Sequence, residues 1–218
     1  MKLSSLVCMA TLVSLALTSL TTVTAHAQLP AFSFTPPPGA TSFSGNTTFG
    51  ETFTVGTNAI SVTSLGIWDD QQNGLAESHL ITIWNGAGTA LGSATVPLGT
   101  AGPLLGQYRY TNLLSPFTLT ANTTYTIGAF DTTTLDGNPT FIPLGNITSA
   151  SGVTYGAPRN GSGNAFPAGN GFALGNILSA NFQFTTISAA TPEPGNVALF
   201  GALLMAGAGF MRRRRNGR

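Results

Sequence analysis

Charge is what this sequence has least of: 7% of its 218 residues are Asp, Glu, Lys or Arg. Between Gln28 and Thr191 the only cations are Arg109 and Arg159. Set against Glu51, Asp69, Asp70, Glu77, Asp131 and Asp136, they leave that body with a formal charge of −4. Such a balance offers no surface for neutralising phosphates, which argues against nucleic acid as a partner. Cysteine is nearly absent. Cys8 lies in the N-terminal apolar stretch, so the body has neither a disulfide framework nor a thiol nucleophile. Helical periodicity is also missing outside the two apolar ends. Stability must come from an ordinary core, and about 160 residues are enough to build one.

The N-terminus reads as a secretory signal peptide over 1–27. Lys2 supplies the positive start, Leu3 to Leu20 is largely apolar, and Ala25-His26-Ala27 fits a small-residue cleavage site. The mature chain is expected to begin at Gln28, after passage through the Sec translocon and cutting by signal peptidase. His26 leaves with the leader, and His79 is then the one histidine of the body.

The other end has three parts: Pro192-Glu193-Pro194, an apolar run from Val197 to Met211, and Arg212-Arg213-Arg214-Arg215. As a helix, 197–211 would be roughly 22 Å long at about 1.5 Å per residue. A hydrocarbon core is roughly 30 Å thick, so the span is marginal. Four consecutive arginines argue against a buried core helix and should stay cytoplasmic, placing the body outside. A permanent tail anchor and a sorting signal are the two readings left. In residues 191–218 the tripeptide, span and basic end occur together, and they resemble the PEP-CTERM sorting signal of Gram-negative bacteria. That resemblance implies an exosortase as partner, an inner-membrane intermediate, and delivery to the cell surface or an exopolysaccharide matrix.

The body, 28–190, reads as all-β. Short apolar runs rich in Val, Ile, Phe and Thr are punctuated by Gly, Asn and Pro. Strands are expected at Phe49–Val55, Ala59–Trp68, Ser78–Trp84, Ala90–Val96, Gln107–Asn112, Phe117–Thr120, Thr124–Phe130 and Ala180–Ile187. Several alternate apolar and polar residues, which gives one buried and one wet face. The apolar phase slips between Val62 and Leu65, predicting a bulge near Thr63-Ser64. Asn85-Gly86 marks a hairpin with positive φ. From Thr132 to Asn176 the chain looks irregular, with surface loops at Tyr155–Gly161 and Phe166–Gly171. These patterns predict an antiparallel β-sandwich or jelly roll. The stretches Leu65–Asp70, Gly74–His79, Ile83-Trp84 and Gln107–Tyr110 are similar to a β-sandwich domain of bacterial exported proteins, over roughly Glu51 to Phe130. That domain has no established activity to carry over.

The densest polar cluster runs from Asp69 to His79. Asp69, Gln71, Asn73 and Gly74 mimic the first half of an EF-hand loop, but its twelfth position is Leu80, where a bidentate Glu is required. A looser calcium site from Asp69, Asp70, Asn73 and Glu77 stays open, against a plain solvated loop. His79 lacks the partners of a zinc pattern, and no nucleophile elbow accompanies it, so no enzyme is expected. Trp68 and Trp84 belong to the core more readily than to a sugar platform. Tyr155, on a Gly-rich loop, is the candidate for stacking on a glycan. The function expected is a non-catalytic structural or adhesive surface protein. The alternative is a carbohydrate-binding module, calcium-dependent or not, that retains exopolysaccharide.

Overall fold

The computed structural model describes residues 28–35, 45–131, 135–139, 142–170 and 175–187. The expected signal peptide and the sorting tail, with its apolar helix at 197–211, lie outside them. No helix among the described residues is long and apolar enough to cross a membrane. The strands are β1 (Leu29–Pro30), β2 (Phe32–Phe34), β3 (Thr47–Val55), β4 (Ile60–Trp68), β5 (His79–Trp84), β6 (Ala90–Val96) and β7 (Leu104–Leu105). They continue with β8 (Tyr108–Leu119), β9 (Thr124–Asp131), β10 (Ile147–Ser149), β11 (Val153–Ser162), β12 (Gly169–Asn170) and β13 (Ala180–Thr186). The described chain is therefore all-β, with antiparallel pairing throughout.

Two sheets carry the fold. One has the order β1-β13-β4-β8-β7 and the other β12-β11-β3-β9-β5-β6, with β2 and β10 forming a separate pair. Alternation explains how they meet. Phe53 and Val55 of β3, Ile127 and Ala129 of β9, and Ile81 and Ile83 of β5 share one core with Val62 and Leu65 of β4 and Phe182 and Phe184 of β13. The Phe53 and Phe182 rings lie 4.7 Å apart between centroids, bringing the two sheets into contact. Phe32 adds edge-on contacts to Phe53, Tyr155 and Phe182. Each such side chain contributes about 1.5–3 kcal/mol through burial.

The expected bulge is present. Register slips at Thr63 against both neighbours of β4, so Val62 and Leu65 both face inward. The hairpin between β5 and β6 is present as well, but its positive φ falls at Gly88 (+81°). Asn85 shapes the turn differently, accepting the Ala87 and Thr89 N–H groups on its side-chain oxygen. Gly50 is required for another reason: a Cβ there would sit 2.0 Å from the Ile127 carbonyl oxygen across the ladder.

Two expectations need correction. Gln107–Asn112 and Phe117–Thr120 are one strand, β8, with residues 113–116 bulging out between the pairs Ser64–Asn112 and Val62–Phe117. The expected loop Tyr155–Gly161 is strand β11, paired along β3. A register shift between Tyr155 and Pro158 accommodates the proline, which has no N–H to donate.

Candidate functional site

The polar centre of the body is built around His79. Ile81 and Ile83 point into the core, so His79, two residues earlier on β5, points inward too. On β9, Ile127 and Ala129 set the same phase for Asp131. The pairing Leu80–Phe130 then makes His79 and Asp131 the next opposed pair at the end of the ladder. Their side chains meet, with His79 Nδ1 3.1 Å from Asp131 Oδ1. The pair is within ion-pair and hydrogen-bonding range, with the Nδ1–H imperfectly aligned on the oxygen. Asp136 arrives from the segment after β9, and its Oδ2 lies 2.9 Å from His79 Nε2.

Both carboxylates are held in place. Asp136 accepts the backbone N–H groups of Ala76 at 2.9 Å and Glu77 at 3.0 Å. Asp131 accepts from Asn138 Nδ2 at 2.8 Å, and Asn138 in turn bonds Ser179. His79 is 1% exposed. Burial lowers the His79 pKa, but the bonds and charges of Asp131 and Asp136 outweigh it and raise the pKa to about 9. Burial likewise raises the Asp136 pKa, and the His79 hydrogen bond with the two backbone N–H groups overcomes this and lowers it. At neutral pH an imidazolium therefore sits between two carboxylates. Glu77 completes the cluster: one oxygen of it, a His79 ring nitrogen and an Asp136 oxygen lie within 4.8 Å of one another.

The four proposed calcium ligands are divided by the structure. Asp69 is buried and committed elsewhere, its Oδ2 2.6 Å from Arg109 Nε and both oxygens accepting the Gly74 N–H. Arg109 also donates to the Gly102 carbonyl at 3.0 Å and the Gln72 carbonyl at 3.3 Å, pinning two loops. Asp70 and Asn73 line a surface groove with Asp136, while Glu77 faces His79. Neither Asp69 nor Asp70 is an ion-pair partner of His79, whose ring is held by Asp131 and Asp136.

The aromatic expectations divide as well. Trp68 is buried with Tyr108 and Tyr110. Trp84 is buried on the opposite face of its sheet from Ile83, with Phe166 edge-on at 6.1 Å. Tyr155 is not an exposed platform. It is 9% exposed, its ring packs against Phe32, and its hydroxyl bonds Asn176 at 2.9 Å. Pairing with β3 turned the expected loop into a strand and its tyrosine inward.

Glu51, one of six acids in the body by sequence, is set apart by its surroundings. It shares the inward face of β3 with Phe49 and Phe53, is fully buried, and neither side-chain oxygen has a hydrogen-bond partner. Burial raises its pKa well above the usual value and favours the neutral acid over the carboxylate. The Tyr110 hydroxyl is likewise buried without a partner. The signal was in the sequence, since Glu51 falls in phase with Phe53 and Val55.

Fold and site together define an all-β protein of two antiparallel sheets with a carboxylate-clasped histidine at one sheet end. No family model, no curated protein and no solved structure matches the chain.

Proposed function

We propose that this is an exported β-sandwich protein. It leaves by the Sec route, is held at the inner membrane by its tail, and is released by an exosortase to the cell surface or matrix. Its role there is structural or adhesive. The observation that carries this reading is the three-part tail standing behind a body that closes before it. All described core residues lie between Ala31 and Phe184, so cutting near Pro192-Glu193-Pro194 would leave both sheets intact. Cutting before Gln28 would spare them equally. A non-catalytic role is supported by the burial of His79 between two carboxylates, both of its ring nitrogens being engaged by them.

The test is intact mass and fractionation of the protein from its host, comparing wild type with Glu193→Ala. A wild-type species lacking both ends, found outside the cell, is expected, with the variant retained in the membrane. A full-length wild-type chain in the inner membrane, unchanged by the substitution, sinks the sorting reading.

A carbohydrate-binding role is the second reading, moved to a new place. Thr52, Thr124, Thr126, Arg159 and Phe166 line an outer groove of about 320 Å³, joining hydroxyls and a guanidinium to an aromatic ring. Glycan-array binding that Phe166→Ala abolishes would support it, and an array without binding would remove it.

A further inference from the structure

We propose that Glu77, His79 and Asp136 form a binding site for a divalent transition metal of the zinc type. The ligand atoms come from two places: Glu77 and His79 are two residues apart at the start of β5, and Asp136 closes from the segment after β9. Their donor atoms lie within 4.8 Å of one another, with Nε2 and Asp136 Oδ2 at 2.9 Å. Ligands of one tetrahedral ion at about 2.0–2.2 Å are separated by roughly 3.3–3.6 Å, so Nε2 and Asp136 Oδ2 need to part by only a few tenths of an ångström, while the Glu77 oxygen closes on them from within 4.8 Å.

A second observation points the same way. A metal-bound histidine nearly always offers its other ring N–H to a carboxylate, which sets the tautomer and the ring plane. Asp131 stands at that place, 3.1 Å from Nδ1, and is itself held by Asn138. The arrangement favours the Nδ1 proton and leaves Nε2, 2.9 Å from Asp136 Oδ2, for the ion. Metal binding exchanges the Nε2 proton for the ion, and that proton leaves to solvent.

Charge also favours a cation. Glu77, Asp131 and Asp136 are three carboxylates around one imidazole, an excess of negative charge even when the ring is protonated. A divalent ion with a neutral ring reduces that excess further. The surface groove of about 350 Å³ that Asp136 lines with Asp70, Asn73 and Gly74 supplies an entry path and room for water as a remaining ligand. The imidazole nitrogen selects zinc-type ions over calcium, which takes oxygen donors. The site is independent of where the protein is sorted.

The experiment titrates the full-length chain, purified in detergent and stripped with chelator, with Zn²⁺ by calorimetry and with Co²⁺ by visible absorption. About one equivalent per chain and the intense visible bands of four-coordinate Co²⁺ are expected. Glu77→Gln, at a half-buried position, should keep the far-ultraviolet dichroism of the wild type and weaken Zn²⁺ binding at least tenfold. Asp131→Asn should weaken it by about 10–100-fold, as loss of an outer-shell partner does. Binding unchanged by both substitutions, no uptake at all, or a preference for Ca²⁺ overturns the assignment.

Discussion

Glu51 is the residue whose surroundings leave the plainest mark on stability. Burial holds its pKa well above 4.5, so the folded chain keeps a proton that the unfolded chain has lost. The folded state then binds more protons, and stability falls as pH rises from about 4.5 toward the folded pKa. Tyr108 on β8 and Tyr155 on β11 are held toward the neutral form first by their own burial and then by the charge Glu51 takes on when it ionises. Glu51→Gln is expected to flatten this decline, by at most about 1.4 kcal/mol per pH unit, in thermal melts across the acid-to-neutral range. An unchanged slope would assign the decline to another group. Arg109 is the converse case, a buried charge whose partner is present. Arg109→Met strands Asp69 and should cost about 3–5 kcal/mol in chemical denaturation, whereas Arg109→Met with Asp69→Leu should recover most of it. A double variant no more stable than the single one would refute that account. These residues differ in how far they could be read beforehand. Glu51 and Asp131 fall in phase with apolar neighbours on their strands, so alternation alone turns them inward. The His79–Asp136 bond joins positions 57 apart through an irregular segment, and no local pattern announces it.

Elements with alternating side chains were legible, and those whose pairing is supplied from afar were not. β6 has the expected bounds, and β4, β5, β9 and β13 differ by a residue or so at an end. Their inward residues are mostly Val, Ile, Leu, Phe and Tyr, with Ala94 and Ala129 among them, at every second place except across the Thr63 bulge. β11 contains Gly156, Ala157, Pro158, Asn160 and Gly161, none of which marks a face, and it is a strand because β3 pairs with it. The turn of the β5–β6 hairpin makes a comparable point on a smaller scale. Gly88 has φ +81°, while Gly86 has an ordinary φ and nothing within 4 Å of where its Cβ would be. Gly88→Ala should therefore cost about 1 kcal/mol and Gly86→Ala should cost little or nothing, measured by urea unfolding. Equal effects at the two positions would mean that the turn relaxes into another type.

For the molecule as a whole, the described core spans Ala31 to Phe184 and the last described strand is β13. A chain of residues 28–190 is expected to unfold in one cooperative transition with the circular dichroism of a β protein. A chain ending at residue 178 loses β13, and with it the neighbour of both β1 and β4, and should remain unfolded. Cooperative melting of that shorter chain would show that the five-stranded sheet does not depend on the strand that joins β1 to β4. Two sheets sharing one core agree with the architecture that strand spacing and turns predicted, and they owe nothing to disulfides, which a body without cysteine cannot form. The pairing of β1 with β13 has a temporal meaning too. Leu29 lies opposite Phe184, so the first strand waits for the last. A chain delivered from its N-terminal end presents its beginning well before its end, and during that interval β4 has an open edge where β13 will sit. The sheet shuts only when the far end appears, so the body is complete in a single late step, and a chain caught halfway has an unfinished seam.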